Sequence, residues 1–305
     1  MADSMTRWFG LLGLMAFVAG CGGAISDPQP SAEGSAAWRK ALGGGATAGG
    51  GAKTEEKKVE VPVNDGHANL VGVFKYGGDA PARPALPVGK DTSVCTPGGK
   101  QILAEDLVVD PASKGIAHCL IFVDKAPDSW IHESAKTAPG ESLFDQKECV
   151  FLSHTFAFQT NQKIQLKNSD PILHNAAGTP AGNAPFNIGI PGGTSSTYSA
   201  NKETAAPFQV KCTIHEWMSA WMIVRGNGYF AVTNPKGEFE MKNVPAGVDV
   251  TFRIWQEKSG FVSKPGVKLN GEELKLKGGR FTFKLDKADA AKNKMDLEFP
   301  PSVFQ

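Results

Sequence analysis

One short segment, residues 210–218, limits the possible folds more than any other part of the chain. It carries Cys212, His215 and Met218 at regular three-residue intervals. Apolar and polar residues alternate before this segment and an apolar run follows it, which predicts a strand, a tight loop and a returning strand. Because side chains alternate between the two faces of a strand, Cys212 is expected on the same inward face as Val210.

A fourth residue, His174, completes a set of donors suited to one metal ion. The set offers one thiolate, two imidazoles and one thioether. Two His and one Cys in a trigonal plane, with a weak axial Met, hold copper in sites that exchange single electrons. The sequence therefore predicts a copper site formed by His174, Cys212, His215 and Met218.

The chain as a whole is expected to be all-β. It contains 35 Gly and 20 Pro, its apolar residues fall in short runs rich in Val, Ile, Phe and Thr, and no long helical pattern is present. Lys+Arg 32 nearly balances Asp+Glu 31, so there is no basic field for nucleic acid. The sequence shows no Ser/His/Asp arrangement, no P-loop and no second copper cluster, and we therefore expect a protein that is not an enzyme.

The first residues have the pattern of an export signal. A basic residue precedes an apolar run over residues 8–19, which is too short for a transmembrane helix and typical of a secretory signal. The run ends in Val18-Ala19-Gly20-Cys21, which resembles the lipobox of bacterial lipoproteins. The resemblance implies that residues 1–21 are a lipoprotein signal and that acyl chains on Cys21 anchor the protein to a bacterial membrane, in the periplasm or at the cell surface.

Residues 22–58 are expected to form a flexible tether behind that anchor. They are rich in Gly, Ala, Ser and Pro and end in a charged run. Such a segment has too little apolar surface to fold.

An oxidising compartment permits disulfides, so two of the remaining cysteines can be paired with each other. Cys95 and Cys149 both lie in sequence typical of turns, and we predict that they pair. Cys119 lies within a predicted strand over residues 116–123 and is expected to be a buried, inert thiol. Its neighbour His118 would point to the opposite face of that strand, so the two cannot bind one ion. His154 has no partner at metal-ligand spacing.

Residues 145–225 resemble a known family. A strand ending in Asn168 leads through a Pro-bearing turn to His174-Asn175, and the Cys-x-x-His-x-x-Met loop follows between two strands. This pattern is similar to that of the cupredoxins, the type 1 blue-copper proteins, of the amicyanin and plastocyanin type. The resemblance implies a Greek-key β-sandwich with one type 1 copper, bound by the ring nitrogens of both His, the Cys thiolate and a long axial bond to Met218.

The same resemblance implies a role for Asn175. Its side chain would form a hydrogen bond to the backbone near Thr213 and so join the two ligand segments. The loop departs from the amicyanin pattern at Ile214 and Glu216, where that type has prolines.

The C-terminal part has a different pattern. A Gly-x-Phe strand at residues 237–239 and a Val-Pro-x-Gly turn at residues 244–247 resemble the carboxypeptidase regulatory-like domains. The resemblance implies a second small β-sandwich with a structural or docking role over residues 226–305.

We therefore place the cupredoxin-like domain at residues 59–225 and the second sandwich at 226–305. One alternative stays open at this point. Residues 66–76 and 116–123 can supply the opening strands of the second sandwich, in which case the copper module is an insertion within it.

These patterns favour a membrane-anchored, extracytoplasmic protein that carries single electrons between redox partner proteins, which the sequence does not identify. Two alternatives belong to other classes: a copper-delivery lipoprotein whose metal is cargo, and a cell-surface adhesion or carbohydrate-binding protein. The absorption spectrum with copper separates the three.

Overall fold

The computed structural model describes residues 61–305 and is built of short strands with very few helical turns. The predicted all-β class is therefore confirmed. The predicted signal, Cys21 and the predicted tether lie outside the described residues. Within residues 61–305, no helix has both the length and the apolar character needed to cross a bilayer.

The strands of the described residues carry the labels β1 to β19 in chain order. They are β1 Gly66–Tyr76, β2 Leu120–Lys125, β3 Ser142–Lys147, β4 Val150–Phe151, β5 Thr155–Gln159, β6 Ile164–Asn168, β7 His174–Gly178, β8 Phe186–Ile190, β9 Ser195–Tyr198, β10 Phe208–Lys211, β11 Ser219–Arg225, β12 Phe230–Val232, β13 Glu238–Ala246, β14 Asp249–Gln256, β15 Gly260–Phe261, β16 Lys268–Leu269, β17 Glu272–Glu273, β18 Arg280–Lys284 and β19 Leu297–Phe299. The helical turns are α1 Thr92–Cys95, α2 Glu133–Lys136 and the 3₁₀ turns Pro97–Gly99, Asp128–Trp130, Ala290–Lys292 and Pro301–Phe304.

Residues 142–225 form two sheets around one core, and we call this part the copper module after the site predicted within it. One sheet has the strand order β5-β11-β10-β7-β8, and the other has the order β4-β3-β6-β9. The predicted alternation of apolar and polar residues is present in β6, where Ile164 and Leu166 are fully buried between the sheets. β10 and β11 pair antiparallel on either side of the predicted loop, with Lys211 opposite Ser219.

The second core is built from both ends of the described residues, and we call this part the terminal sandwich. β1 pairs with β13 and β19, and β2 pairs with β12 and β14. The boundary predicted at residue 225 therefore cuts through these sheets, because strands from residues 66–125 pair with strands of 226–305. The strand pairing matches the alternative given in the sequence analysis, in which the copper module is an insertion between strands of the terminal sandwich. Periodicity in one sequence identifies a strand but not its partner, which explains the difference.

The strand expected over residues 116–123 begins later, at Leu120. His118 has a φ of 63°, a left-handed conformation that interrupts an extended chain. The expectation that His118 and Cys119 lie on opposite faces of a strand is therefore wrong, since both precede β2. Cys119 is a free and buried thiol as predicted, and burial raises its pKa to about 12.

The two parts pack against each other through a small apolar cluster of their own. Leu120, Phe122, Ile223 and Trp255 are buried there together, and the Arg225 guanidinium lies 4.3 Å from the centre of the Phe122 ring. This contact holds β11, the strand that follows the predicted copper loop, against the terminal sandwich.

Candidate metal centre

A buried asparagine shapes the turn that leads to His174. Asn168, at the end of β6, is fully buried. Its Nδ2 donates hydrogen bonds to the carbonyls of Ile172 (2.7 Å) and Ile190 (2.8 Å), and its Oδ1 accepts one from the amide of Asp170 (3.0 Å). The turn is thus fixed at both ends, and His174 begins β7 with its side chain fully buried.

The Cys-x-x-His-x-x-Met loop is closed by its own backbone. The amide of Cys212 donates to the carbonyl of Met218 (3.2 Å), and the amide of Met218 donates to the carbonyl of His215 (2.9 Å). Met218 is 1% exposed and belongs to the same apolar core as Cys212.

Three of the four predicted ligands converge. Cys212 Sγ lies 3.9 Å from His174 Nδ1 and 3.8 Å from His215 Nδ1, and the two imidazole centres are 4.5 Å apart. Metal bonds of about 2.0 Å to nitrogen and about 2.3 Å to sulfur, at 120°, would separate nitrogen and sulfur by about 3.7 Å. The observed separations therefore fit donors of one trigonal metal ion.

Each imidazole is held from its far side by a carboxylate. His174 Nε2 lies 2.9 Å from Asp170 Oδ2, and His215 Nε2 lies 2.9 Å from Asp91 Oδ2. An ionised carboxylate only accepts hydrogen bonds, so each Nε2 carries the hydrogen and each Nδ1 keeps its lone pair toward Cys212. This is the tautomer that metal binding through Nδ1 requires.

The sequence reasoning missed both carboxylates. Asp170 stands four residues before His174, a spacing that can be noticed in the sequence, but Asp91 meets His215 only through the fold. Burial lowers the pKa of His174, and the nearby Asp170 carboxylate partly opposes that shift. The neutral imidazole is the form that binds a metal.

Asp170 also supports the neighbouring turn between β3 and β4. Its carboxylate accepts hydrogen bonds from the amides of Glu148 (2.6 Å) and Cys149 (2.8 Å), two residues with left-handed φ angles of 51° and 54°. The buried Asp170 carboxylate therefore contacts both the candidate ligand His174 and a turn whose strained backbone needs stabilising contacts from other segments.

The contact predicted for Asn175 is present. Its Oδ1 accepts a hydrogen bond from the amide of Thr213 (2.8 Å) and lies 3.2 Å from Cys212 Sγ. Its Nδ2 donates to Asn187 Oδ1 (2.6 Å) on β8. The side chain thus ties β7 to the start of the ligand loop.

A disulfide joins Cys95 and Cys149, the pair predicted from the sequence. Among the described residues, three groups of His, Cys and Asp bring their ligand atoms within 4.8 Å of one another. Two of these groups contain Cys149, whose sulfur is already bonded. The group of His174, Cys212 and His215 is the one with a free thiol.

The disulfide is also part of the wall around His215. It anchors α1, and Asp91 just before that helix reaches His215. On the other side, the Trp217 ring lies 5.2 Å from the His215 ring and its Nε1 donates to the carbonyl of Cys149 (3.1 Å). His215 is consequently 1% exposed.

Comparison with known proteins gives matches among solved structures only, since no family model and no curated protein matches the chain. A copper-containing nitrite reductase from Thermus scotoductus is 16% identical with a TM-score of 0.26, over 28% of this chain and 23% of its own. A reduced amicyanin mutant is 9% identical with a TM-score of 0.25, over 30% and 94%. A purple cupredoxin from Nitrosopumilus maritimus is 12% identical with a TM-score of 0.24, over 28% and 100%. The chain thus spans under a quarter of the nitrite reductase.

Proposed function

We propose that this protein is a cupredoxin-like, type 1 blue-copper protein that carries single electrons between redox partners. The observation that carries the proposal is the convergence of Cys212 Sγ with the Nδ1 atoms of His174 and His215, at 3.9 and 3.8 Å. Both imidazoles are held in the tautomer that leaves Nδ1 free. A thiolate with two imidazoles is a donor set that selects copper.

The residues would hold the ion without rearrangement. When bound, copper supplies a Cu(I)/Cu(II) couple. His174 and His215 would bind through Nδ1 and Cys212 through its thiolate, while the Met218 thioether would be a weaker fourth ligand. Asp91, Asp170 and Asn175 keep these side chains in place. Because these contacts hold the ligand side chains, the chain would rearrange little when the bound ion gains or loses an electron.

Burial supports a resident ion over a cargo ion. His174 is 0% exposed, and Cys212 and His215 are each 1% exposed. A delivery protein has to pass its metal to another protein, which this enclosure would hinder. The closed donor set also favours electron transfer over catalysis, since catalytic metal sites keep a position open for substrate.

We further propose that the protein works outside the cytoplasm, anchored to a bacterial membrane by lipid on Cys21. The Cys95–Cys149 disulfide supports this location, because disulfides persist in oxidising compartments. The redox partner would dock near the loop, where Ile214 and Trp217 are partly exposed.

The test is the visible spectrum of the purified protein with one equivalent of Cu(II). We expect an intense thiolate-to-copper band and reversible voltammetry, both lost in Cys212→Ser. Cys119→Ser is the matched control, since Cys119 is the other free and buried thiol of the described residues, and it should keep the band. Loosely held Cu(I) without the band would favour delivery, and no copper binding would favour an adhesion role.

A further inference from the structure

A second polar cluster lies where the copper module meets the terminal sandwich. His154, just before β5, is 5% exposed. Its Nε2 lies 2.5 Å from Oε2 of Glu257, which follows β14. The carboxylate accepts the hydrogen on Nε2, which leaves Nδ1 as the ring atom that can exchange its proton for a metal ion.

That Nδ1 atom has no hydrogen-bond partner within residues 61–305. It lies 3.4 Å from Oε2 of Glu105, but outside hydrogen-bond geometry. Two atoms that bind the same tetrahedral metal ion, each through a bond of about 2.0 Å, lie about 3.3 Å apart. The pair is therefore poorly placed for a hydrogen bond and well placed to bind one ion.

Glu257 completes the usual arrangement behind a metal-binding histidine. A ligating His almost always gives its other N–H to a carboxylate or carbonyl, which fixes the ring and strengthens the donor. Here Glu257 contacts Nε2 and Glu105 faces Nδ1. Glu257 would therefore orient the ring, and Glu105 would bind the metal ion together with His154.

A third donor stands beside this pair. The His118 ring centre lies 5.4 Å from that of His154, because the left-handed turn at His118 brings it there. Burial lowers the pKa of His118 to about 4, so the ring is a neutral donor at ordinary pH. A cavity of about 280 Å³ lined by Glu105 and His154 leaves room for water as further ligands.

We propose that His154 and Glu105, completed by His118 after a side-chain rotation, form a second site for a divalent transition-metal ion such as Zn²⁺. The proposal does not depend on the copper centre, whose ligands are other residues. Met218 lines the same cavity, so the second ion would lie next to the copper loop.

The test counts Zn²⁺ bound to the purified protein at equilibrium, with Cys212→Ser as the background to remove the thiolate of the first site. We expect about one more equivalent of Zn²⁺ in Cys212→Ser than in the double variant Cys212→Ser/His154→Gln. The matched control is Cys212→Ser/His132→Gln. His132 also stands beside a second His, with its ring centre 4.9 Å from that of His67, but its Nδ1 contacts Ser134, and this variant should keep the full count.

A second substitution guards against loss of folding. Glu105→Gln leaves the contact between His154 and Glu257 intact and should weaken Zn²⁺ binding at least about tenfold, and a cooperative melting transition will show that this variant still folds. Equal Zn²⁺ counts with and without His154 would overturn the proposal, and so would unchanged affinity in Glu105→Gln. In either case His154 would hold only a proton between its two carboxylates.

Discussion

The two carboxylates behind the proposed copper ligands should tune the centre to different extents, and Asp170→Asn compared with Asp91→Asn tests this. Both aspartates lie 2.9 Å from an imidazole Nε2. Their surroundings differ, since the Asp170 side chain is 5% exposed and the Asp91 side chain is 43% exposed. Each substitution removes one negative charge while keeping a side chain of similar shape.

The expected changes in copper affinity and reduction potential depend on how deeply each carboxylate is buried. Loss of a carboxylate behind a ligating His costs about 10- to 100-fold in metal affinity. Asp170 should lie at the upper end of this range, whereas water and salt screen Asp91. Losing a negative charge penalises Cu(II) more than Cu(I), so the reduction potential should rise by about 59 mV for each tenfold loss of affinity for Cu(II) relative to Cu(I). We expect a rise of up to about 120 mV for Asp170→Asn, if most of the loss falls on Cu(II), and a rise of less than about 60 mV for Asp91→Asn.

The assay is voltammetry of both copper-loaded variants at low and high salt. The shift of Asp91→Asn should shrink at high salt, and that of Asp170→Asn should not. Unfolding of the metal-free variants provides a control, since Asp170→Asn should also cost about 1–3 kcal/mol by weakening its bonds to the amides of Glu148 and Cys149. Equal shifts, or a fall in potential for Asp170→Asn, would refute the reasoning.

Three further predictions concern stability. Replacing Cys95 and Cys149 by Ala opens a loop with a sequence separation of 54 and should lower the free energy of unfolding in urea by about 2–4 kcal/mol. Asn175→Ala leaves the Thr213 amide without its acceptor and should cost about 1–3 kcal/mol in the same assay, while Asn175→Asp should cost less. In the metal-free protein, carboxylates raise the pKa of His154 from 6.5 to about 9 against the effect of burial. The resulting stabilisation should be complete below pH 6.5 and should fall by about 3 kcal/mol as the pH rises to 9, a loss that His154→Gln should not show.

The local features of the copper loop could be predicted from sequence. Cys212, His215 and Met218 lie within one turn between two strands, so their spacing alone limits where they can be. The pairing of Cys95 with Cys149 was also predicted, from compartment and turn-like surroundings. In these cases the relevant signal lies in the residues themselves or in their immediate neighbours.

Contacts between distant segments could not be predicted in this way. The partners of β1 and β2 come from the far end of the chain, and alternation of apolar residues says nothing about which strands pair. Asp91 reaches His215, and Glu257 reaches His154, only because loops of different elements meet. No spacing in the sequence marks these carboxylates.

The central claim is that the sulfur of Cys212 and the Nδ1 atoms of His174 and His215 bind one copper ion. X-ray absorption spectroscopy of the protein loaded with one equivalent of copper tests it directly, because it identifies the atoms bonded to the metal. We predict one short copper–sulfur bond together with two nitrogen ligands, in both the oxidised and the reduced protein. A copper ion surrounded only by nitrogen and oxygen would contradict it.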